Sequence, residues 1–552
     1  MSEEENNKKN YSPITQSLYL KLKNPISLHV NVENSPTSSE KKRRLNYHRT
    51  SFSSFSNTTC SDILKLNKYL NIENNILLLA LNNYSFKFGL INKLDYKIQS
   101  LRLPHIEIIE PWKELGYLFP PYKNYNIIEE CIYYSFTNVY KFDLKNKDIF
   151  IPFSSKNSMN DFSSIGDILF ESFEVKSICF KEPSFVSSLI ILEELKNEKE
   201  KSLFYNEDVK EKENHYHNIN MKDNKQKNEK DEKDEKDEKD EKDEKDIPNM
   251  NDNSKSKYTK KNLNYNTKKN NEYSNECLIH LKELNLFNFT AVIINIGSTK
   301  TSCTPIINGI PLLDLTEFYY IGGYDIDNQI YEEMKKHEKE QKEISIDIAR
   351  VAKEKRIFTP KNKEECQYLS ILYNKNPKNY FITPFELNVN KIFESAVNST
   401  EIFFSPYALD TYVKTESYKN LHTYDFNFNF LFVQNTLPTV IYNTIQNCPI
   451  DYRKELLRNI YLTGGSSIIR GFRQRLENEL YELINNINFY NKACVQVHLF
   501  KRKLLQKYAI YSGSHYFLEI FNYDYYSVTR QDYQEEGERI LEKFSLQGKL
   551  LY

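Results

Sequence analysis

The sequence predicts an α/β protein built on a duplicated unit, and three observations carry that expectation. A continuous apolar run, Ile76 to Leu81, passes through the turn "NNYSFKFG" into a second strand. The same layout returns in "FTAVIINIGSTKTSCTPIINGIPLLDL". A third strand, "NIYLTGG", stops on Gly464 and Gly465 and gives way to a helical pattern. Strands that alternate with helices in one chain make mixed or parallel sheets covered by helices.

Taken in order, residues 1–66 are rich in Ser, Asn, Thr and charge without an apolar period, which predicts a disordered extension. It carries the basic stretch Lys41 to Arg44, which suits the acidic groove of a nuclear import receptor and reads equally as a solvated patch. The first folded stretch is 67–195. After its opening hairpin come "NIIEECIYYSF", the strand-like "KDIFIPF", and "FSSIGDILFESF" with Ile165, Ile168, Leu169 and Phe173 at helical spacing. Residues 196–275 form a charged insertion with six "EKD" copies from Glu229 to Asp246. Alternating charge supports near-neighbour pairs but supplies no core face, so the segment reads as a disordered spacer. The second folded stretch is 276–552. Following the double glycine, Phe472, Leu476, Leu480, Leu483 and Ile484 share one side of an amphipathic helix that begins at the glycine turn.

Composition excludes several classes. Lys and Arg number 75 against 76 Asp and Glu, so whole-chain charge favours neither sequence-independent nucleic-acid coating nor a polybasic membrane surface. Cysteines at 60, 131, 179, 277, 303, 366, 448 and 494 are scattered with no CxxC pair, which predicts neither a zinc site nor a disulfide framework. The polar start "MSEEENNKKNYSP" is unlike a secretory leader, and no run approaches the roughly 18 apolar residues of a spanning helix. The expectation is a soluble intracellular chain with no membrane partner.

Ligands that bridge α/β halves sit where strand ends converge, because backbone donors collect there. Three turns qualify: residues 81–89, residues 295–302 and the "TGG" turn. Alone, each reads just as well as a tight connection. Together, "YSFKFG", "ILFESF", "INIGSTKTSCTPIINGIPL", "IGGYDIDNQI", "NIYLTGGSSIIRGFRQRL", "YAIYSGS" and "SVTRQDYQEEGERILEKF" resemble the actin family, in the family's order. The resemblance covers nearly all of 70–195 and 276–544. It implies an actin-like, ribonuclease-H-like duplicated bilobed fold, with four subdomains around a nucleotide cleft and a C-terminus that returns to the first lobe.

The resemblance also implies a site. Lys87 matches the family's phosphate-loop lysine, and Gly297 lies in the second phosphate loop. Gly464 and Gly465 match nucleotide-contacting glycines, Lys353 and Glu354 stand where the family meets the adenosine, and Lys507 and Tyr508 stand beside the base. ATP or ADP is the implied cofactor. Aspartates of the two phosphate loops correspond instead to Ala80, Asn295 and Ser298, the following histidine to Ser302, and the water-positioning glutamine to about Pro183. Magnesium favours carboxylates and hydrolysis needs a positioned nucleophile, so no metal site and no catalytic residue is expected. A third reading is an ATPase that uses rearranged carboxylates such as Asp325, in "IGGYDID"; the local reading of that residue is helix capping.

Within the family, "SVTRQDYQEEGERILEKF" and "YNTIQNCPIDYRKELLRNIYLTGGSSIIRGFRQRL" are most similar to the nuclear class called actin-related protein 6. "ELGYLFPPYKNYNIIEECIYYSF" resembles that class's early region, without its glycine. That class implies a scaffold subunit of a Swr-type chromatin remodeller, partnered by a Swi/Snf-family ATPase, a zinc-HIT subunit, the Z-variant histone dimer and the nucleosome, in the nucleus. No autonomous sequence-specific nucleic-acid binding is expected. The alternative is a cytoplasmic or cytoskeletal actin-like protein that caps, nucleates or organises filaments.

Overall fold

A computed structural model describes residues 75–81, 85–92, 106–117, 124–154, 159–198, 284–337, 345–375, 397–422, 435–485 and 495–544. The expected N-terminal extension with Lys41 to Arg44 lies outside the described residues, as does the expected insertion beyond residue 198.

Two six-stranded sheets organise the described chain. In the first, β1 (Asn75–Leu81) and β2 (Phe86–Asn92) form an antiparallel hairpin. β3 (Glu107–Ile109) adds to β2, and β4 (Asp148–Pro152) pairs parallel with the far edge of β1. β5 (Ser177–Lys181) lies parallel to β4. The second sheet repeats this plan. β6 (Ala291–Ile296) and β7 (Thr301–Ile307) are the hairpin, β8 (Ile310–Pro311) and β9 (Glu317–Tyr319) pair with β7, and β10 (Ile460–Thr463) pairs parallel with β6. β11 (Val497–His498) lies parallel to β10. β12 (Val528–Thr529), near the end of the chain, crosses back to pair with β5 of the first sheet.

Two-sided burial explains the unbroken apolar letters of β1 and β6. Leu77 and Leu79 enter the core on one face of the first sheet, with Phe136, Phe162, Ile165 and Phe170. Ile76, Leu78 and Ala80 enter a second core on the other face. Ala291 and Ile293 join that same second core, while Val292, Ile294 and Ile296 join a third under Phe472, Leu476 and Leu480. A strand covered on both faces loses its alternation and becomes a continuous run. The shared second core is filled by a helix over residues 183–198 and by the helix Ala509–Ile520. These two helices touch at Gly513, where a methyl group would lie 2.0 Å from the Val186 carbonyl oxygen.

One expectation is corrected in detail. The long amphipathic helix starts at Phe472, not at the double glycine. Between them stand the short 3-10 turn Gly465–Ile468 and Gly471, whose φ is 86°. A side chain at Gly471 would meet the Thr359 carbonyl oxygen at 2.1 Å, so the loop before Pro360 packs onto the turn and delays the helix. The expected face is kept: Phe472, Leu476, Leu480 and Ile484 are buried, and Leu483 is half-buried. Arg475, fully buried in the same helix, is clamped by Glu401 (2.9 and 3.1 Å) and Glu479 (2.7 Å). No helix among the described residues is long and apolar enough to cross a membrane.

Candidate functional site

The two hairpins share a matched register. Ala80 pairs with Lys87 one step in from the first turn, and Asn295 pairs with Ser302 one step in from the second. The connections, 82–85 and 297–300, are of equal length. All four paired residues line a single cleft of ≈1410 Å³, and so do all eight residues expected at a site: Lys87, Gly297, Lys353, Glu354, Gly464, Gly465, Lys507 and Tyr508.

Each is positioned by a local cause. Gly464 ends β10 with φ 93°, and a methyl group there would fall 2.2 Å from the Ile296 carbonyl oxygen. Only glycine allows β10 to finish this close to β6. Gly465 differs: its nearest neighbours to an added methyl are Lys507 Cγ and Cε, at 3.9 and 4.0 Å. The Gly297 and Ser298 carbonyls accept from the Gly323 and Tyr324 amides (2.8 and 2.7 Å), which seats the second turn on the start of the helix Gly323–His337. Asp325 lies in the first turn of that helix, fully buried. It accepts from the Gly322 amide (2.6 Å) and the Tyr412 hydroxyl (3.0 Å), so its carboxylate serves the helix start.

The charged side chains fall into three groups. Lys353 donates to the Gly323 carbonyl (2.7 Å) and pairs with buried Asp327 (2.8 Å). Burial pushes the Asp327 carboxyl up to about 6, although the Lys353 charge opposes the shift. Lys507 pairs with Glu354 at 3.3 Å. Lys87 is half-buried, and its one hydrogen bond among the described residues runs to Ser85 Oγ (3.3 Å). Burial, reinforced by the Lys507 charge, lowers its ammonium to about 8. A half-buried ammonium in such a setting can take an anion.

Sequence reasoning missed two features of the cleft. Glu182 is a buried carboxylate in its wall, immediately before the helix whose first residue is Pro183. An acidic residue followed by proline is a helix-start signal, so the letters carried it. The second is a charged latch. Glu110 and Lys113, just after β3, meet Asp347 and Arg350 of the helix Ile346–Arg356. The distances are Lys113–Glu110 2.6 Å, Lys113–Asp347 2.5 Å and Arg350–Glu110 2.9 Å. The latch joins a segment of the first sheet to a helix packed with the second. Burial raises the Glu110 carboxyl and lowers Arg350 to about 10.

The matched hairpin positions supply no carboxylate to a magnesium ion. They offer a methyl, an ammonium, an amide and a hydroxyl. Among the described residues no group of three or more His, Cys, Asp or Glu side chains converges to hold a metal. Magnesium is held by one or two carboxylates with phosphate and water.

The model of the actin family matches residues 264–545. The chain is 35% identical over 117 residues to actin-related protein 3 of Saccharomyces cerevisiae, a match covering 20% of this chain and 26% of the relative. It is 29% identical over 122 residues to actin-related protein 3 of Schizosaccharomyces pombe, covering 21% and 28%. With actin-related protein 4 of Schizosaccharomyces pombe it shares 30% identity over 101 residues, covering 18% and 22%. The matched stretch spans about a quarter of the length of these curated relatives. The chain belongs to the actin family, and within it stands with the actin-related proteins. The paired sheets are the α/β, bilobed architecture of that family.

Proposed function

We propose that this actin-related protein is a non-catalytic scaffold subunit of a Swr-type chromatin-remodelling complex, of the nuclear class actin-related protein 6, with ATP or ADP held in its cleft as a static clamp. The observation that carries the non-catalytic part is the pair of register-matched hairpins, whose cleft positions Ala80, Asn295, Ser298 and Ser302 carry no carboxylate. Lys87, Gly465, Lys353, Glu354, Lys507 and Tyr508 are the residues that would hold the nucleotide. A ligand bound only by the folded chain stabilises it in proportion to the logarithm of its concentration over Kd.

The class assignment is supported by the C-terminal passage. Thr529 and Asp532 make a reciprocal capping box at the start of the helix Arg530–Glu536. Tyr533 stacks on Phe170 (4.7 Å) and its hydroxyl donates to Asp167, while Ser163 donates to Glu538 (2.5 Å). The letters most similar to that class therefore attach the end of the chain to the first sheet. The implied partners are the Swi/Snf-family ATPase, a zinc-HIT subunit and the Z-variant histone.

Affinity purification of the tagged full chain from nuclear extract, with mass spectrometry of the co-eluting proteins, tests this reading. Recovery of a Swi/Snf-family ATPase with a zinc-HIT protein and the Z-variant histone is expected. Recovery of filament proteins or their motors without a remodeller would overturn it.

A further inference from the structure

Resting on the nucleotide reading of the cleft, we propose that the cleft binds nucleotide polyphosphate as the free anion, with lysine ammonium groups in place of a divalent cation. The basis is the disagreement between the donor set and magnesium. Each carboxylate in the cleft wall already has a donor. Asp161 accepts from the Tyr125 hydroxyl, Glu182 from Ser184 Oγ (3.3 Å), and Glu365 from the Lys361 amide (2.6 Å). Asp327 is paired with Lys353, Glu354 with Lys507, and Glu110 with Lys113 and Arg350. A magnesium ion would compete with these donors for the carboxylate oxygens and would repel Lys87 at the same time.

Lys87 is the counterpart of those engaged carboxylates. It stands on β2 opposite Ala80, and its hydrogen bond among the described residues is to the Ser85 hydroxyl, with the Glu110 charge acting from farther off. Burial and the neighbouring Lys507 hold its ammonium down at about 8, and an arriving phosphate would offset that cost and stabilise the charged form. Free ATP carries more negative charge than its magnesium complex, so a cleft whose available charge is cationic favours the free form. Gly465, open toward Lys507, lets a phosphate chain approach the backbone beside that second ammonium.

The test is isothermal titration of the full chain with ATP, in excess EDTA and in excess magnesium, repeated with Lys87→Gln and Lys87→Arg. Binding in EDTA is expected to be at least as tight as in magnesium. Lys87→Gln is expected to weaken EDTA binding by about tenfold or more, the scale of a charge-assisted hydrogen bond, while Lys87→Arg retains most of it. Binding that appears only with magnesium would overturn the metal-free assignment and leave the nucleotide cleft in place. No binding in either medium would overturn both. Unchanged EDTA binding by Lys87→Gln would remove Lys87 from the role. Should that variant fail to fold, the EDTA and magnesium comparison on the native chain decides.

Discussion

Gly464 and Gly465 are adjacent in the chain and answer to different constraints. Gly464 has a left-handed φ and abuts the Ile296 carbonyl; Gly465 has neither restriction. Gly464→Ala is expected to lose about 3 kcal/mol or more of stability, from backbone strain and a collision with main chain. Gly465→Ala is expected to stay within about 1 kcal/mol of the native chain and to weaken nucleotide binding, because its methyl projects into the cleft. Denaturant unfolding and nucleotide titration of the two variants check the pair; equal losses of stability would contradict it. Lys87 makes a second prediction at this scale. Its folded value of about 8 lies below the ordinary 10.5, so the folded chain resists carrying this proton. The resulting cost is fully present below pH 8 and is relieved as pH rises from about 8 to 10.5. Lys87→Met is therefore expected to raise stability at pH 7 by about 1–3 kcal/mol, an advantage that shrinks toward pH 10. A variant no more stable than the native chain at pH 7 would contradict the burial argument.

Among elements, the latch is the device that binds one side of the cleft to the other. Three of its members are partly buried, with side-chain exposures of 18% for Glu110, 23% for Lys113 and 22% for Arg350, so they are screened less than surface pairs, while Asp347 is 47% exposed. Glu110→Gln removes the negative charge shared by Lys113 and Arg350 and one of the two oxygens that accept from them. Faster hydrogen exchange is expected in the helices Pro111–Glu114 and Ile346–Arg356, with a stability loss of about 1–2 kcal/mol. Unchanged exchange there would show that the latch holds nothing. Elements also show what the letters could reveal. The apolar runs of β1 and β6 and the glycine turn of β10 were legible because two-sided burial and close backbone approach leave local marks. The start of the helix Phe472–Asn485 was misplaced, since Gly471 yields to a loop remote in sequence. Arg350 and Glu110 are 240 residues apart, and no local period announces their pairing. Asp327 shares "IGGYDIDNQI" with Asp325, yet only the fold shows that Asp327 faces Lys353 while Asp325 turns to the helix start.

For the whole molecule, duplication accounts for the fold and for the matched positions that face the cleft. Two copies of one hairpin plan place matched positions on the same cleft, so a catalytic metal cluster would need acidic letters in each copy. Here the positions hold Ala80, Lys87, Asn295 and Ser302, and the cleft carboxylates that remain are engaged within the chain. On the proposed reading, such a molecule would join its halves through a ligand without cleaving it. The most direct test of that claim is phosphate release from ATP by the purified full chain, followed in magnesium over many hours. Release at the background rate, with ATP recovered intact from the protein, is the predicted result. Sustained release above background, abolished by Glu182→Gln or by Asp325→Asn, would contradict the account and make the cleft an active site.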